Sequence, residues 1–225
     1  MRQTILIIGA TRGLGLEFAR QYAAEGARVI ATHRQPEDAE RLRALGAEPL
    51  LLDVNDAAQV AGLAWQLDGV ALDLAIVNAG VLGTRSTGLA PPPAEEFDAV
   101  MHTNVLAPMR LIALLAEPLA AAHGRVAVIS SRMGSVALAG TSSSWLYRAS
   151  KAALNMVLKV ASGELGGRGV ICLALHPGWV RTDMGGANAD IDVVTSVSGL
   201  RRVIAGAGPQ DNGAFFDYTG EALPW

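Results

Sequence analysis

The residues Thr4-Ile5-Leu6-Ile7-Ile8-Gly9-Ala10-Thr11-Arg12-Gly13-Leu14-Gly15 decide how this chain is read. A continuous apolar run of strand length, Thr4–Ile8, leads into three glycines, and a helical apolar pattern then continues through Ala24. The order is strand, glycine-rich turn, helix. Gly9 permits the tight turn, Gly13 lets the main chain approach a pyrophosphate, and Gly15 allows close packing of helix on sheet. The helix N-terminus then faces the anion. The spacing Gly-x3-Gly-x-Gly lacks the Gly-Lys-Ser/Thr of a nucleoside triphosphate loop, which disfavours that ligand.

Working outward, strand and helix signals alternate. Arg28–Thr32 reads as a second strand, Pro36–Leu45 as a helix with Pro in its first turn and Gly46 past its end, and Glu48–Leu52 as a third strand. A helix over Asp56–Leu67 and a strand over Leu72–Val77 follow, then a polar, Pro-rich loop from Thr84 to Pro93. A long helix runs from Ala94 to Ala122, with Pro108 and Pro118 placed to bend it. Arg125–Ser130, Val170–Leu175 and a short Ala214–Asp217 complete the strands, and Trp145–Leu165 is the last helix recognised. Such alternation implies an α/β fold: a doubly wound parallel sheet of about seven strands, covered by helices on both faces. At 225 residues, one domain spanning 1–225 is expected.

Composition narrows the function. Hydrophobic residues make up 51% and charged residues 17%, as buried parallel strands require. A formal net charge of -3 and a pI of about 5.8 give no electrostatic footprint for nucleic acid or for an anionic membrane, so a small-molecule substrate is expected instead. Glu117 and Pro118 interrupt the longest apolar stretch, Leu111–Ala122, so no membrane span is expected. Cys172 is the only cysteine, which excludes an intrachain disulfide and fits a reducing, cytoplasmic setting. His33, His102, His123 and His176 are scattered singly, without metal-ligand spacing, and are read as structural or surface residues; no metal is expected.

The ends of the strands carry the chemistry. Thr32-His33-Arg34 has no acid where NAD enzymes place one for the ribose 2′-hydroxyl, and Arg12 and Arg34 offer cations to a 2′-phosphate. NADP(H) is therefore preferred over NAD(H). Asp53, followed by Val54, is open to two readings: a bond to an adenine amino group, or the N-cap of the next helix. Asn78-Ala79-Gly80 ends the fourth strand with small residues, over which a ligand passes closely. Tyr147 and Lys151 stand four apart on a helix and share a face, so the ammonium is expected to favour the phenolate and permit proton exchange near neutral pH.

In combination these motifs resemble the short-chain dehydrogenase/reductase family, over nearly the whole chain. Gly9-x3-Gly13-x-Gly15 is similar to its cofactor turn, Asn78-Ala79-Gly80 to its sheet motif and Tyr147-x3-Lys151 to its catalytic signature. Asn104, Ser131 and Pro177-Gly178 fall in the expected order. The ending Asn212–Phe216 through Trp225 is similar to a smaller branch containing carbonyl reductases and some signalling-related members.

The resemblance implies a Rossmann-type fold and an NADPH-dependent oxidoreductase that reduces a ketone or aldehyde by hydride transfer. Tyr147 would be its general acid/base, Lys151 would lower the tyrosine pKa and bond the nicotinamide ribose, Ser131 would bond the substrate oxygen, and Asn104 would hold a relay water. It also implies a cofactor-binding set of Gly9, Thr11, Arg12, Gly13, Leu14, Gly15, His33, Arg34, Asp53, Val54, Asn78, Ala79, Gly80, Tyr147, Lys151, Pro177, Gly178, Val180 and Thr182. The alternative is an NAD(P)(H)-binding regulatory or signalling protein with little or no turnover. The family is often dimeric or tetrameric, so a homodimer or homotetramer is expected, with the Trp145–Leu165 helix as a candidate contact.

The chain departs from the family pattern in three places. Ile8 stands where Thr is usual, and Val77 replaces the first Asn of Asn-Asn-Ala-Gly; packing is expected to replace a polar contact at both. The Ser131–Tyr147 interval is also a few residues long. The expected pocket walls, Val81–Thr87, Ser135–Trp145 and Met184–Val197, contain few charges and suggest a neutral, partly apolar carbonyl substrate.

Overall fold

The structure is a computed structural model describing residues 2–225. Seven strands form one sheet: β1 (Thr4–Ile8), β2 (Arg28–His33), β3 (Glu48–Leu51), β4 (Leu74–Val77), β5 (Arg125–Ile129), β6 (Ile171–His176) and β7 (Ala214–Asp217). Their order is β3-β2-β1-β4-β5-β6-β7, and every neighbouring pair is parallel. The chain crosses from one side of β1 to the other between β3 and β4. The turns after β1 and β4 therefore flank the point where the winding reverses, which is where open α/β sheets bind ligands.

Two apolar layers hold helices to the sheet. On one face Phe18, Ala19 and Tyr22 of α1 (Gly13–Ala24), Leu42 of α2 (Asp38–Ala44) and Val197, Leu200 and Ile204 of α7 (Val193–Gly206) cover Ile5, Ile7, Ile76 and Leu173. On the other face, α3 (Ala57–Gln66), α5 (Ala107–Ala122) and α6 (Trp145–Gly166) bury Val60, Leu63, Leu111, Leu115, Leu154 and Leu158 against Leu6, Ile8, Val126 and Cys172. Ile8 and Val77 are register partners in this second layer, 0% and 3% exposed. The two apolar departures thus pack side by side.

Several expectations need correcting. Asp56, not Asp53, caps α3, its carboxylate accepting from the amides of Ala58 and Gln59. Asp53 instead accepts from Asn55 N at 2.9 Å, closing a local turn. The Ala94–Ala122 segment is helical throughout, as expected, but not regular. It consists of α4 (Ala94–Met101), a π-helical turn over His102–Leu106, and α5. Pro108 cannot donate to the carbonyl one turn back and its ring crowds that carbonyl, so the backbone widens just before it.

By length and composition this segment does pass for a membrane span, with a mean hydropathy of 1.6 over its most apolar window, despite Glu117 and Pro118. In the fold its Leu111, Leu115 and Leu119 are core residues. Finally, α7 has no counterpart in the sequence reading. Asp192 caps it, accepting from Thr195 N at 2.6 Å.

Candidate active site

The turn after β1 is built by contacts that only small residues allow. Gly9 has a φ of +85°, and a Cβ there would lie 2.9 Å from Ala79 N; one on Gly15 would lie 2.0 Å from Gly9 O. Thr32 Oγ1 accepts from Gly9 N at 2.9 Å, and Asn78 Nδ2 donates to Gly9 O at 2.7 Å, so β2 and β4 both fix the turn. Helix α1 then starts at Gly13 without a side-chain cap and without an acid in its first turn. Those free amides, with the open glycine edge, suit a diphosphate.

A cleft of ≈ 1090 Å³ opens over this turn and runs along the carboxyl ends of the strands. It gathers Gly9, Thr11, Arg12, Gly13, Leu14, His33, Arg34, Val54, Asn78, Ala79, Gly80, Ser131, Tyr147, Lys151, Pro177, Gly178, Val180 and Thr182. Gly15 lies beneath the turn as a packing residue. Asp53 is outside the lining, while its neighbours Leu52, Val54 and Asn55 are part of it.

Asn104 also lies behind the wall, 1% exposed. It does not bond the local backbone of its helical turn. Its Oδ1 accepts from Val81 N at 2.9 Å, and its Nδ2 donates to Val81 O at 2.8 Å and to Ser150 Oγ at 3.0 Å. A Cβ on Gly80 would sit 3.3 Å from Asn104 Oδ1 and 3.5 Å from Lys151 Nζ, so both polar atoms flank this glycine.

Among the three serines, Ser131 is the one beside the Tyr147 phenol. Its Oγ also accepts from Met133 N at 3.1 Å. Ser130 Oγ is spent on Asn155 Oδ1 at 2.5 Å, and Ser135 Oγ donates to Trp225 O at 3.3 Å. Gly134 explains how Ser131 gets so close to α6: a Cβ there would fall 2.7 Å from the Lys151 carbonyl carbon. The long interval to Tyr147 is absorbed by a loop that turns through Ser144, at φ +51°, whose amide donates to Ser86 O at 2.9 Å.

The electrostatics differ from the sequence expectation. Burial pushes the Tyr147 phenol up to about 12, with the Ser131 hydroxyl pulling the other way, and burial pushes the Lys151 ammonium down to about 8. Lys151 Nζ lies 5.7 Å from the tyrosine ring centroid and donates to Ile129 O at 2.8 Å. Desolvation therefore outweighs the attraction of ammonium for phenolate in the protein itself.

The sequence reading also missed several residues. Thr32 supports the glycine turn, Arg41 of α2 donates to Thr11 O at 3.1 Å, and Asn55 lines the cleft. His176, read as structural or surface, lines the cleft; its Nδ1 is buried without a hydrogen-bond partner, and burial lowers its pKa to about 4, with Arg132 acting in the same direction. The walls are also more charged than expected, since Arg85, Arg132 and Arg148 all line them. Of the third wall segment, Met184, Gly185 and Val193 face the cleft, whereas Val197 is core.

Comparison with known proteins agrees with this geometry. A family model described as short chain dehydrogenase matches residues 3–192. The C-signal protein of Myxococcus xanthus is 41% identical over 155 residues, covering 68% of this chain and 93% of that protein. An NADPH-bound carbonyl reductase from chicken fatty liver is 32% identical, with a TM-score of 0.89 and 100% of both chains covered. Carbonyl reductase Sniffer of D. melanogaster is 28% identical, with a TM-score of 0.92 and the same full coverage. By fold, by the arrangement of its cleft and by the extent of the family match, the chain belongs to the short-chain dehydrogenase family of oxidoreductases.

Proposed function

We propose that this protein is an NADPH-dependent reductase of a ketone or aldehyde. The observation that carries the reading is the meeting of Ser131, Tyr147 and Lys151 in the cleft that the glycine turn opens. The NADPH-bound and carbonyl-reducing relatives support it.

The glycine turn and the first amides of α1 would hold the diphosphate, Arg34 and Arg12 the 2′-phosphate, Tyr147 and Lys151 the nicotinamide ribose, and Pro177, Gly178, Val180 and Thr182 the carboxamide end. When bound, the reduced nicotinamide supplies the hydride. Ser131 donates a hydrogen bond to the substrate carbonyl oxygen, and Tyr147 gives that oxygen its proton as the charge develops. A phenol held at about 12 is fully protonated at neutral pH, the state a general acid for reduction needs. Lys151 faces the phenolate left behind, and Asn104 would hold the water that links Lys151 to solvent and through which the proton is replaced. Exposed Met109 of α5 and Met156 and Val160 of α6 are the candidate contacts of a homodimer or homotetramer.

The test is oxidation of NADPH and of NADH against ketones, aldehydes and diketones, with Tyr147→Phe as the control. Turnover with NADPH that vanishes in Tyr147→Phe supports the reductase. A second reading, a nucleotide-binding signalling protein, is favoured by the likeness to C-signal. Tight NADPH binding without turnover of any carbonyl compound would select it.

A further inference from the structure

The substrate end of the cleft is cationic. Beyond Tyr147 and Ser131 it is lined by Arg85, Arg132 and Arg148, and among the described residues the only acid in the lining is Asp183, already paired with Arg12 at 2.8 Å. Elsewhere, Arg20, Arg28, Arg43, Arg168 and Arg201 each meet a carboxylate. Among the described residues, none of the three cleft arginines does. Arg85 Nη2 donates to Met184 O at 2.8 Å; Arg148 donates to Ser143 O at 2.9 Å and to Thr141 Oγ1 at 3.0 Å. These acceptors are neutral and leave the charge uncompensated. Arg132 has no hydrogen-bond or ion-pair partner among the described residues, and it follows Ser131 directly.

All three line the same cleft, and the backbone shows how two of them reach it. Ser144 N donates to Ser86 O at 2.9 Å, which brings the loop bearing Arg85 onto the turn that precedes Arg148. Arg85 then reaches across to the segment after β6. Glu96 and Asp217 bond main-chain amides and not these arginines: Glu96 accepts from Thr84 N at 2.5 Å, and Asp217 accepts from Thr219 N at 2.8 Å and Glu221 N at 3.2 Å. Guanidinium groups that line one cleft without a carboxylate partner leave positive charge uncompensated, and a bound anion would compensate it. Their planar fork of donors matches a carboxylate.

We propose that the carbonyl compound reduced here carries a carboxylate, held by Arg132 together with Arg85 and Arg148. This rests on the reductase reading. It replaces the neutral substrate suggested by the sequence.

The experiment compares 4-formylbenzoate with its methyl ester as substrates of the NADPH-loaded protein. The expected result is a kcat/KM at least tenfold higher for the acid, set by KM and eroded by salt. That ratio should fall toward one in Arg132→Leu and be partly restored in Arg132→Lys. Because the readout is a ratio, general damage by the substitution cancels. An ester used as well as the acid, or a ratio unchanged in Arg132→Leu, overturns the proposal while leaving the reductase intact. If neither aldehyde is turned over, the reductase reading fails for this substrate pair, and calorimetric titration of benzoate and benzamide into the NADP-loaded protein still decides the point. Benzoate binding tenfold tighter, with the difference lost in Arg132→Leu, upholds a carboxylate site; equal affinities sink it.

Discussion

Lys151 Nζ donates a 2.8 Å hydrogen bond to the main-chain carbonyl of Ile129, the last residue of β5. That bond ties α6 to the edge of the sheet at the catalytic signature. A charged hydrogen bond contributes roughly 1.5–3 kcal/mol. Moving an ammonium from an ordinary pKa of 10.5 to about 8 corresponds to a penalty of about 3 kcal/mol. Because the pKa stays lowered with that bond in place, burial still disfavours the charged ammonium on balance.

A pH dependence follows from that penalty. Below about pH 8 Lys151 is charged in both folded and unfolded chains, and the full cost is present. Between about 8 and 10.5 the unfolded chain keeps the proton that the folded chain has released, so stability rises with pH. Cys172 and Tyr147, both pushed up to about 12, act oppositely above their unfolded values of 9.0 and 10.0, but in Lys151→Met they remain. The melting temperature of Lys151→Met minus that of the wild type should decline steadily from pH 7.5 to 9.5. A difference that stays flat would mean that Lys151 titrates normally.

Gly134→Ala should damage the site more than its size suggests. The added methyl meets the Lys151 main chain at 2.7 Å, so either α6 or the Ser131 turn must move. Displacement on the order of 1 Å can cost roughly a hundredfold in rate. We expect kcat/KM to fall by about that factor, together with a lower melting temperature. Wild-type kinetics in this variant would show that the Ser131–α6 approach has slack.

Ile8→Thr should destabilise the protein by about 2–4 kcal/mol, combining lost packing with a buried hydroxyl that lacks a partner. Ile8 and Val77 are register neighbours, so adding Val77→Asn gives the hydroxyl a partner, and the double variant should be less unstable than the sum of the singles by about 0.5 kcal/mol or more. Urea unfolding of all four proteins measures this. Strict additivity would argue that the two positions did not exchange a polar contact for packing.

Arg34→Ala should reduce the preference for NADPH over NADH by roughly tenfold to a hundredfold, the worth of one charge-assisted phosphate contact. Arg12→Ala should matter less, because that guanidinium is solvated and shared with Asp183. Fluorescence titration with each cofactor reads both. An unchanged ratio in Arg34→Ala would move the source of the preference elsewhere.

Local patterns carried most of the fold. Buried parallel strands such as Ile5–Ile8 and Leu74–Val77 are continuous apolar runs, and the glycine turn, Ser131, Tyr147 and Lys151 sit where those runs end. Helix α7 was not legible, because Val193, Val194, Thr195, Ser196, Ser198 and Gly199 are poor helix formers. Tertiary packing decides it: Val197 and Leu200 are fully buried, and a Cβ on Gly199 would collide with Tyr218 O at 2.2 Å. Asn104 was legible as a residue but not its partners, since Val81 and Ser150 are distant in sequence. The arginine wall was invisible for the same reason. Arg85 and Met184 lie 99 residues apart on loops that have no periodicity.

The π turn at His102–Leu106 closes i→i+5, with Ala107 N donating to His102 O. Such a turn holds one residue more than the α-helical turn it replaces. Deleting a single codon within it would remove the wide turn and leave the faces of α4 and α5 in phase with the sheet, while Pro108 would still withhold one helical hydrogen bond there. The whole effect would then fall on the placement of Asn104 opposite Val81. The extra residue therefore sets where Asn104 points while α4 and α5 keep their faces toward the sheet.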